Sequence, residues 1–169
     1  MLWMLIILIM QLDKRIQLLL DMEKHFDMHD DVFFEKLLKH EDYVIRTRAV
    51  CIMAEIAGEK AVALIGNVLL NDVDHLVRHE AAFSLGQMGY ISGINVLSKA
   101  VLSDPSFFVR HEAAIALGVI GSEESKSVLE QALNDKSQEV QQSALVALAN
   151  IDYISYVKRN NKFTKMTGG

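Results

Sequence analysis

The chain has 169 residues, 51% hydrophobic and 23% charged, with a formal net charge of −5 at pH 7. That balance excludes wholesale disorder, and the length is one domain's worth, enough to bury a core. One proline and nine glycines exclude collagen-like and low-complexity classes, the single cysteine excludes a disulfide framework or a thiolate zinc cluster, and the acidic balance argues against general nucleic-acid binding.

Residues 1–10 read MLWMLIILIM, without a charge. A bilayer crossing needs roughly 20 apolar residues, so this run is too short for one. A secretory signal puts positive charge before its apolar run and a small-residue cleavage site after it. Here Lys14 and Arg15 follow the run, and no such site is present. The expected role is a helix packing on the domain, or sequence upstream of a start at Met10, with a short membrane anchor as the alternative. Residues 11–31 read as a capping helix. Ile16, Leu19, Leu20 and Glu23 fall at helical spacing, and the end of a repeat array needs a modified outer face. His25, Asp27, His29, Asp30 and Asp31 read as a solvated helix end, because a metal site requires convergent geometry.

Residues 32–157 are repetitive. IRTRAVCIMAEIAG from Ile45, VRHEAAFSLGQMG from Val77 and VRHEAAIALGVIG from Val109 align without gaps, their arginines Arg46, Arg78 and Arg110 spaced by 32 residues. A fourth copy, VQQSALVALANID, starts at Val140, a step of 31. A fixed period of this size marks a solenoid, here of about four repeats. Each repeat reads as two helices, A and B. In the third, Ile94 to Leu102 and Phe108 to Ile120 are apolar-periodic, and Asp104-Pro105-Ser106 forms the turn between them. The fold class is therefore all-α: an α-solenoid of helical hairpins with an N-terminal capping helix.

Three columns of the repeat carry structural chemistry. Gly89 and Gly121 fall where helix B should end, the place for a left-handed cap. Gly86 and Gly118 lie inside helix B, aligned with Ala54 and Ala149. A small residue in all four copies predicts that two backbones approach closely there, since mid-helix glycine otherwise costs about 1 kcal/mol. Asp72 and Asp104 each precede an arginine of the column by six residues. That pairing predicts a stacked Asp–Arg ladder at the helix starts. His40-Glu41 is out of register with the other His-Glu pairs and reads as turn chemistry. Cys51, with no acid–base partner in an adjacent repeat column, reads as a small core residue. Residues 158–169 carry Lys158, Arg159, Lys162 and Lys165 and read as a basic, disordered tail.

His79-Glu80 and His111-Glu112 occupy one position in the two central repeats, where the flanking repeats have Thr47-Arg48 and Gln142-Ser143. The pair is thus not needed to make a repeat. At about 100° per residue, His79 lies almost opposite the core stripe of Val77, Ala81, Leu85 and Met88, and Glu80 lies about 95° from it, towards a neighbouring repeat. Packed helices sit roughly 8–10 Å apart, so imidazoles on adjacent B helices can converge on one ion with a carboxylate beside them. Two His and one carboxylate with open positions is the ligand set of non-haem iron oxygen chemistry. A duplicated repeat also copies residues it does not use, and a capped, solvated helix start is the alternative.

The recurring VRxxAAxALGxIG pattern resembles the HEAT-like repeats of the bilin-lyase and deoxyhypusine hydroxylase group, over about three quarters of the chain. HEAAFSLGQMG and RHEAAIALG are similar to the paired His-Glu repeats of deoxyhypusine hydroxylase. That family is an α-solenoid of two four-repeat halves whose second and third repeats carry the pairs. Together the pairs hold a di-iron centre, and the enzyme uses oxygen to hydroxylate a deoxyhypusine side chain on a translation factor. This chain resembles one half. The resemblance implies iron as cofactor and His79, His111 and Glu112 as its ligands. Glu80 joins that metal-site group as the candidate catalytic residue, orienting the substrate amine or a nearby water. One chain supplies two pairs where the family uses four, so a full site would need a homodimer with opposed concave faces. The alternatives are a non-catalytic scaffold binding a protein on its concave face, or a bilin-lyase-like subunit. The expected location is the cytoplasm, where a lone cysteine stays reduced, with no nucleic-acid partner.

Overall fold

A computed structural model describes residues 2–160, and of residues 2 and 4–11 only the backbone. Among the described residues every regular element is helical. Helix α1 (Leu2–Asp27) is followed by α2 (Asp31–Leu37), α3 (Tyr43–Ile56), α4 (Ala61–Asn71) and α5 (His75–Met88). Then come α6 (Ile94–Ser103), α7 (Phe107–Ile120), α8 (Lys126–Ala132) and α9 (Gln138–Arg159). After α1 these form four hairpins: α2/α3, α4/α5, α6/α7 and α8/α9. The B helices α3, α5, α7 and α9 stack in sequence, and the A helices α4, α6 and α8 stack alongside them. This is the α-solenoid read from the repeat.

One apolar stripe per B helix builds the continuous core. Val77, Ala81 and Leu85 of α5 and Val109, Ala113 and Leu117 of α7 are all buried. Small residues in the middle of these helices let them pack closely. A Cβ placed on Gly86 would lie 2.8 Å from both Cα and Cβ of Ala116, and one on Gly118 would lie 2.7 Å from the same atoms of Ala147. The small-residue column is thus the backbone-to-backbone seam expected of it. Gly89 and Gly121 end α5 and α7 with φ of +70° and +68°, left-handed caps.

The Asp–Arg ladder runs forward between repeats. Arg46 donates to both carboxylate oxygens of Asp72 at 2.7 and 2.9 Å, Arg78 to Asp104 at 2.7 and 3.0 Å, and Arg110 to Asp135 at 2.7 and 2.9 Å. Each arginine also reaches back six residues to a backbone carbonyl, Arg78 to Asp72 and Arg110 to Asp104, both at 2.9 Å. The same aspartates take the N–H two residues on, from Asp74, Ser106 and Ser137, and so shape the turn. In the first repeat His40 stands in that place: its Nδ1 accepts from the Asp42 N–H at 3.0 Å, and its carbonyl accepts from Arg46. His40 is turn chemistry, as its register predicts.

Helix α1 runs unbroken through residue 10 to Asp27, and Asp31 opens α2. The face of α1 turned to the core differs from the stripe read by spacing, except at Leu19. Met22 is buried and Leu18, Leu19 and Phe26 pack against the core, whereas Ile16 and Leu20 are 44% and 49% exposed and Glu23 is exposed. A helix apolar on several sides offers no single stripe by which periodicity can choose a face. At its end, His25 stacks on Phe33 with ring centroids 3.7 Å apart and shares a 2.9 Å hydrogen bond with Asp30, which caps α2. Asp27 and His29 of that turn are exposed. Lys158 and Arg159 close α9, and the remainder of the expected tail, from residue 161, lies outside the described residues.

Candidate functional site: a histidine–glutamate diagonal

The two His-Glu pairs sit in the second turns of α5 and α7. Asp74 starts α5, its side chain accepting from the Leu76 N–H at 2.8 Å, and Ser106 precedes α7. The rungs Arg78–Asp104 and Arg110–Asp135 hold these helix starts in register, one residue before each histidine. Each histidine reaches the glutamate position of the next repeat. His79 Nε2 lies 3.3 Å from Glu112 Oε2, with the two side chains 23% and 11% exposed. The His79 imidazole stacks on Phe108, centroids 4.0 Å apart and planes 11° from parallel. His75, one turn before His79, meets the same phenyl ring edge-on at 6.5 Å. Packing therefore sets the plane of the imidazole that faces Glu112.

One repeat later the glutamate position holds Ser143. His111 Nδ1 lies 2.6 Å from Ser143 Oγ, and that hydroxyl lies 2.7 Å from the Glu139 carbonyl oxygen. Glu80 points the other way, towards the first repeat. Its Oε1 accepts from Cys51 Sγ at 2.8 Å and from Ser84 Oγ at 3.4 Å. Burial, then the hydrogen bond and charge of Glu80, push the Cys51 thiol up to about 12. Cys51 is thus a protonated donor at neutral pH, neither nucleophile nor thiolate ligand. The expectation that it has no partner in an adjacent repeat is corrected: it is half-buried and serves Glu80. Cys51 also lines a cavity of about 500 Å³ between α1 and α3, together with Leu19, Met22, Phe26, Arg48 and Ile52.

Of the four residues expected at a metal site, the structure brings His79 and Glu112 together and holds His111 and Glu80 on other partners. Among the described residues no three His, Cys, Asp or Glu side chains converge. The donor types present, imidazole nitrogen and carboxylate oxygen, fit iron. Two convergent donors fit an open half-site, whose remaining positions would fall to His111, water, substrate or a second copy. Sequence reading missed Ser143 and Phe108. Ser143 could have been found by following the His-to-next-Glu diagonal into the fourth repeat. Phe108 carries no signal of its own, since its column also holds Val44 and Leu76.

The chain belongs to the HEAT-repeat family: a family model of HEAT repeats matches residues 31–107 and 62–149. Among solved structures it is similar to human deoxyhypusine hydroxylase in complex with glycerol, at 26% identity and a TM-score of 0.67. That match covers 86% of this chain and 49% of the other, so the chain spans about half the length of that hydroxylase. An engineered protein is similar at 28% identity and a TM-score of 0.55, over 72% of this chain and 62% of that one. No curated protein matches. No helix among the described residues is long and apolar enough to cross a membrane.

Proposed function

We propose that this protein is an iron-binding HEAT-repeat hydroxylase of the deoxyhypusine hydroxylase kind, acting as a homodimer on a lysine-derived side chain of a protein substrate in the cytoplasm. The observation that carries the reading is the His79–Glu112 contact at 3.3 Å across the seam of the second and third repeats. An imidazole and a carboxylate held on rigid neighbouring helices are the beginning of a 2-His-1-carboxylate set. His111, on the same helix as Glu112, is the third member. Iron, when bound, supplies the activation of oxygen that hydroxylation of an alkyl carbon requires.

The chain's own residues have separable roles in this reading. His79 and Glu112 hold the metal, and Phe108 keeps the His79 ring in plane. Glu80 serves the substrate. Both of its hydrogen bonds end on Oε1, so Oε2 is open among the described residues to accept from a substrate ammonium. The homodimer enters through the pairs: this chain carries two, His79-Glu80 and His111-Glu112, and a second copy would supply two more. The test is elemental analysis for iron, zinc and manganese on protein from iron-supplemented cells, beside a His79→Ala, His111→Ala variant. About one iron per chain, lost in the variant, supports the reading. Hydroxylation of deoxyhypusine-bearing protein is the assay that follows. Absence of metal from both samples overturns it.

A second reading is a non-catalytic scaffold. It is favoured by exposed apolar side chains on the B helices, Leu76, Phe83 and Phe107 at 43%, 44% and 49%, which suit a protein partner. A scaffold would keep its partner when His79 and His111 are replaced by alanine.

A further inference from the structure

Ser143 sits where the diagonal would place a third glutamate, and its hydroxyl has two neighbours at hydrogen-bond distance. One is the Glu139 carbonyl oxygen at 2.7 Å, the other His111 Nδ1 at 2.6 Å. A carbonyl can only accept, so the Ser143–Glu139 contact is a hydrogen bond only when Ser143 donates its single proton there. The hydroxyl oxygen then has lone pairs alone to offer His111. The second contact is satisfied only if His111 Nδ1 carries hydrogen and donates it. In the opposite arrangement, with Nδ1 bare and Ser143 donating to it, two oxygens face each other at 2.7 Å without a proton between them. Ser143 is 6% exposed, so water does not readily relieve that contact.

We infer that Ser143 is a positioning residue that fixes neutral His111 as its Nδ1–H tautomer and so leaves Nε2 as the nitrogen with a free lone pair. The inference rests on the metal reading above only for its consequence: Nε2 of His111 is then the atom offered to a metal held by His79 and Glu112. Histidines that ligate metals generally donate their other ring N–H to a fixed acceptor, which sets tautomer and ring orientation. Here the acceptor is a serine hydroxyl, itself oriented by the helix carbonyl four residues earlier. The fourth repeat thus contributes to the site although it carries no His-Glu pair. A shift of role also follows for the Glu-to-Ser difference between repeats. At Glu112 the diagonal position provides a donor atom for a metal, and at Ser143 it provides the acceptor that holds a ligand in place.

The experiment is ¹⁵N-detected NMR of the His111 ring in the full, metal-free chain above the pH at which the imidazole is neutral. Wild type is compared with Ser143→Ala and Ser143→Thr, and ferrous iron affinity is measured anaerobically by chelator competition for all three. The expected result is an Nδ1–H tautomer in wild type, a shift towards Nε2–H in Ser143→Ala, and recovery in Ser143→Thr, which keeps the hydroxyl. Iron affinity should fall by about 10–100-fold in Ser143→Ala and recover in Ser143→Thr. An Nε2–H tautomer in wild type, or no change in Ser143→Ala, overturns the assignment. Equal iron affinity in wild type and Ser143→Ala overturns the donor role of Nε2. Wild type that carries the Nδ1–H tautomer but takes up no iron supports the tautomer assignment and overturns the proposed function, so the two failures are distinct.

Discussion

His79 on α5 and Glu112 on α7 meet across a repeat seam, Nε2 to Oε2 at 3.3 Å, although each was copied with a partner beside it in sequence. Glu80, beside His79 in sequence, turns instead to Cys51 and Ser84. The productive pair is the diagonal one. Replacing Glu112 with Gln keeps the shape and removes the charge. The expected outcome is a loss of iron affinity of about tenfold or more, with the helical content unchanged, read by chelator competition and circular dichroism. Glu80→Gln should leave iron affinity near wild type, because Glu80 is held on Cys51 and Ser84, away from that pair.

The repeat period made much of this architecture legible. A column of small residues implied the Gly86–Ala116 and Gly118–Ala147 seams, and a column of arginines implied the ladder. What the helical wheel does not carry is the axial offset between stacked helices. It gives the angle of Glu80 around its own axis, not which level of the neighbouring helix that angle meets. For this reason the wheel places two imidazoles and a carboxylate near one another without saying which carboxylate meets His79, and it gives Cys51 no partner. The face of α1 was illegible for another reason: Leu12, Ile16 and Leu20 form as good a stripe as Leu18, Met22 and Phe26, and only the presence of α3 selects between them.

The ladder should dominate stability. Arg78 and Asp104 are 10% and 5% exposed at their side chains and paired through two hydrogen bonds. Replacing Arg78 with Ala leaves a buried carboxylate whose remaining hydrogen bond, among the described residues, comes from the Ser106 N–H at 2.8 Å. Breaking a buried pair from one side costs about 3–5 kcal/mol, a large share of a typical domain's stability. Urea unfolding should show this as a shift of midpoint, and the Arg78→Ala, Asp104→Ala double variant should be less destabilised than the sum of the singles.

The same ladder sets an acid limit. The Arg110 hydrogen bonds hold the Asp135 carboxyl below its ordinary value of 3.8, against the opposing effect of burial, with the Ser137 N–H adding to the lowering. A carboxyl depressed in the folded state contributes stability that is fully present above its unfolded value, about 3.9, and is lost as pH falls through its folded value. Urea midpoints should therefore hold from neutral pH to about 5 and decline steeply below about 4. In Asp135→Asn the decline should be shallower, from a lower starting stability. An unchanged slope would remove Asp135 from the acid transition.

The seam at Gly118 predicts the sign of a substitution that propensity alone would get wrong. Alanine in a helix interior is favoured over glycine by about 1 kcal/mol, so an open position would gain stability. At Gly118 the new methyl would lie 2.7 Å from Cα of Ala147, a backbone atom that cannot move without shifting α9 against α7. Overpacking of this kind costs about 1–3 kcal/mol, which exceeds the propensity gain. Gly118→Ala should lower the thermal midpoint.

Cys51 offers a chemical readout of the Glu80 contact that needs no metal. Only the thiolate reacts with alkylating reagents, and burial together with Glu80 holds the thiol at about 12 against an ordinary 9.0. Three units correspond to about a thousandfold smaller thiolate fraction at a fixed alkaline pH, so alkylation at pH 8 should be far slower than for a free thiol. Glu80→Gln removes the neighbouring negative charge but not the burial, which is the larger cause. Its alkylation should therefore be faster than wild type and still slower than the unfolded chain in urea. A rate in Glu80→Gln equal to wild type would mean that burial alone protects the thiol and that the 2.8 Å contact does not persist in solution. Because the readout is confined to Cys51 and Glu80, it tests this arm of the site independently of whether His79 and Glu112 take up iron.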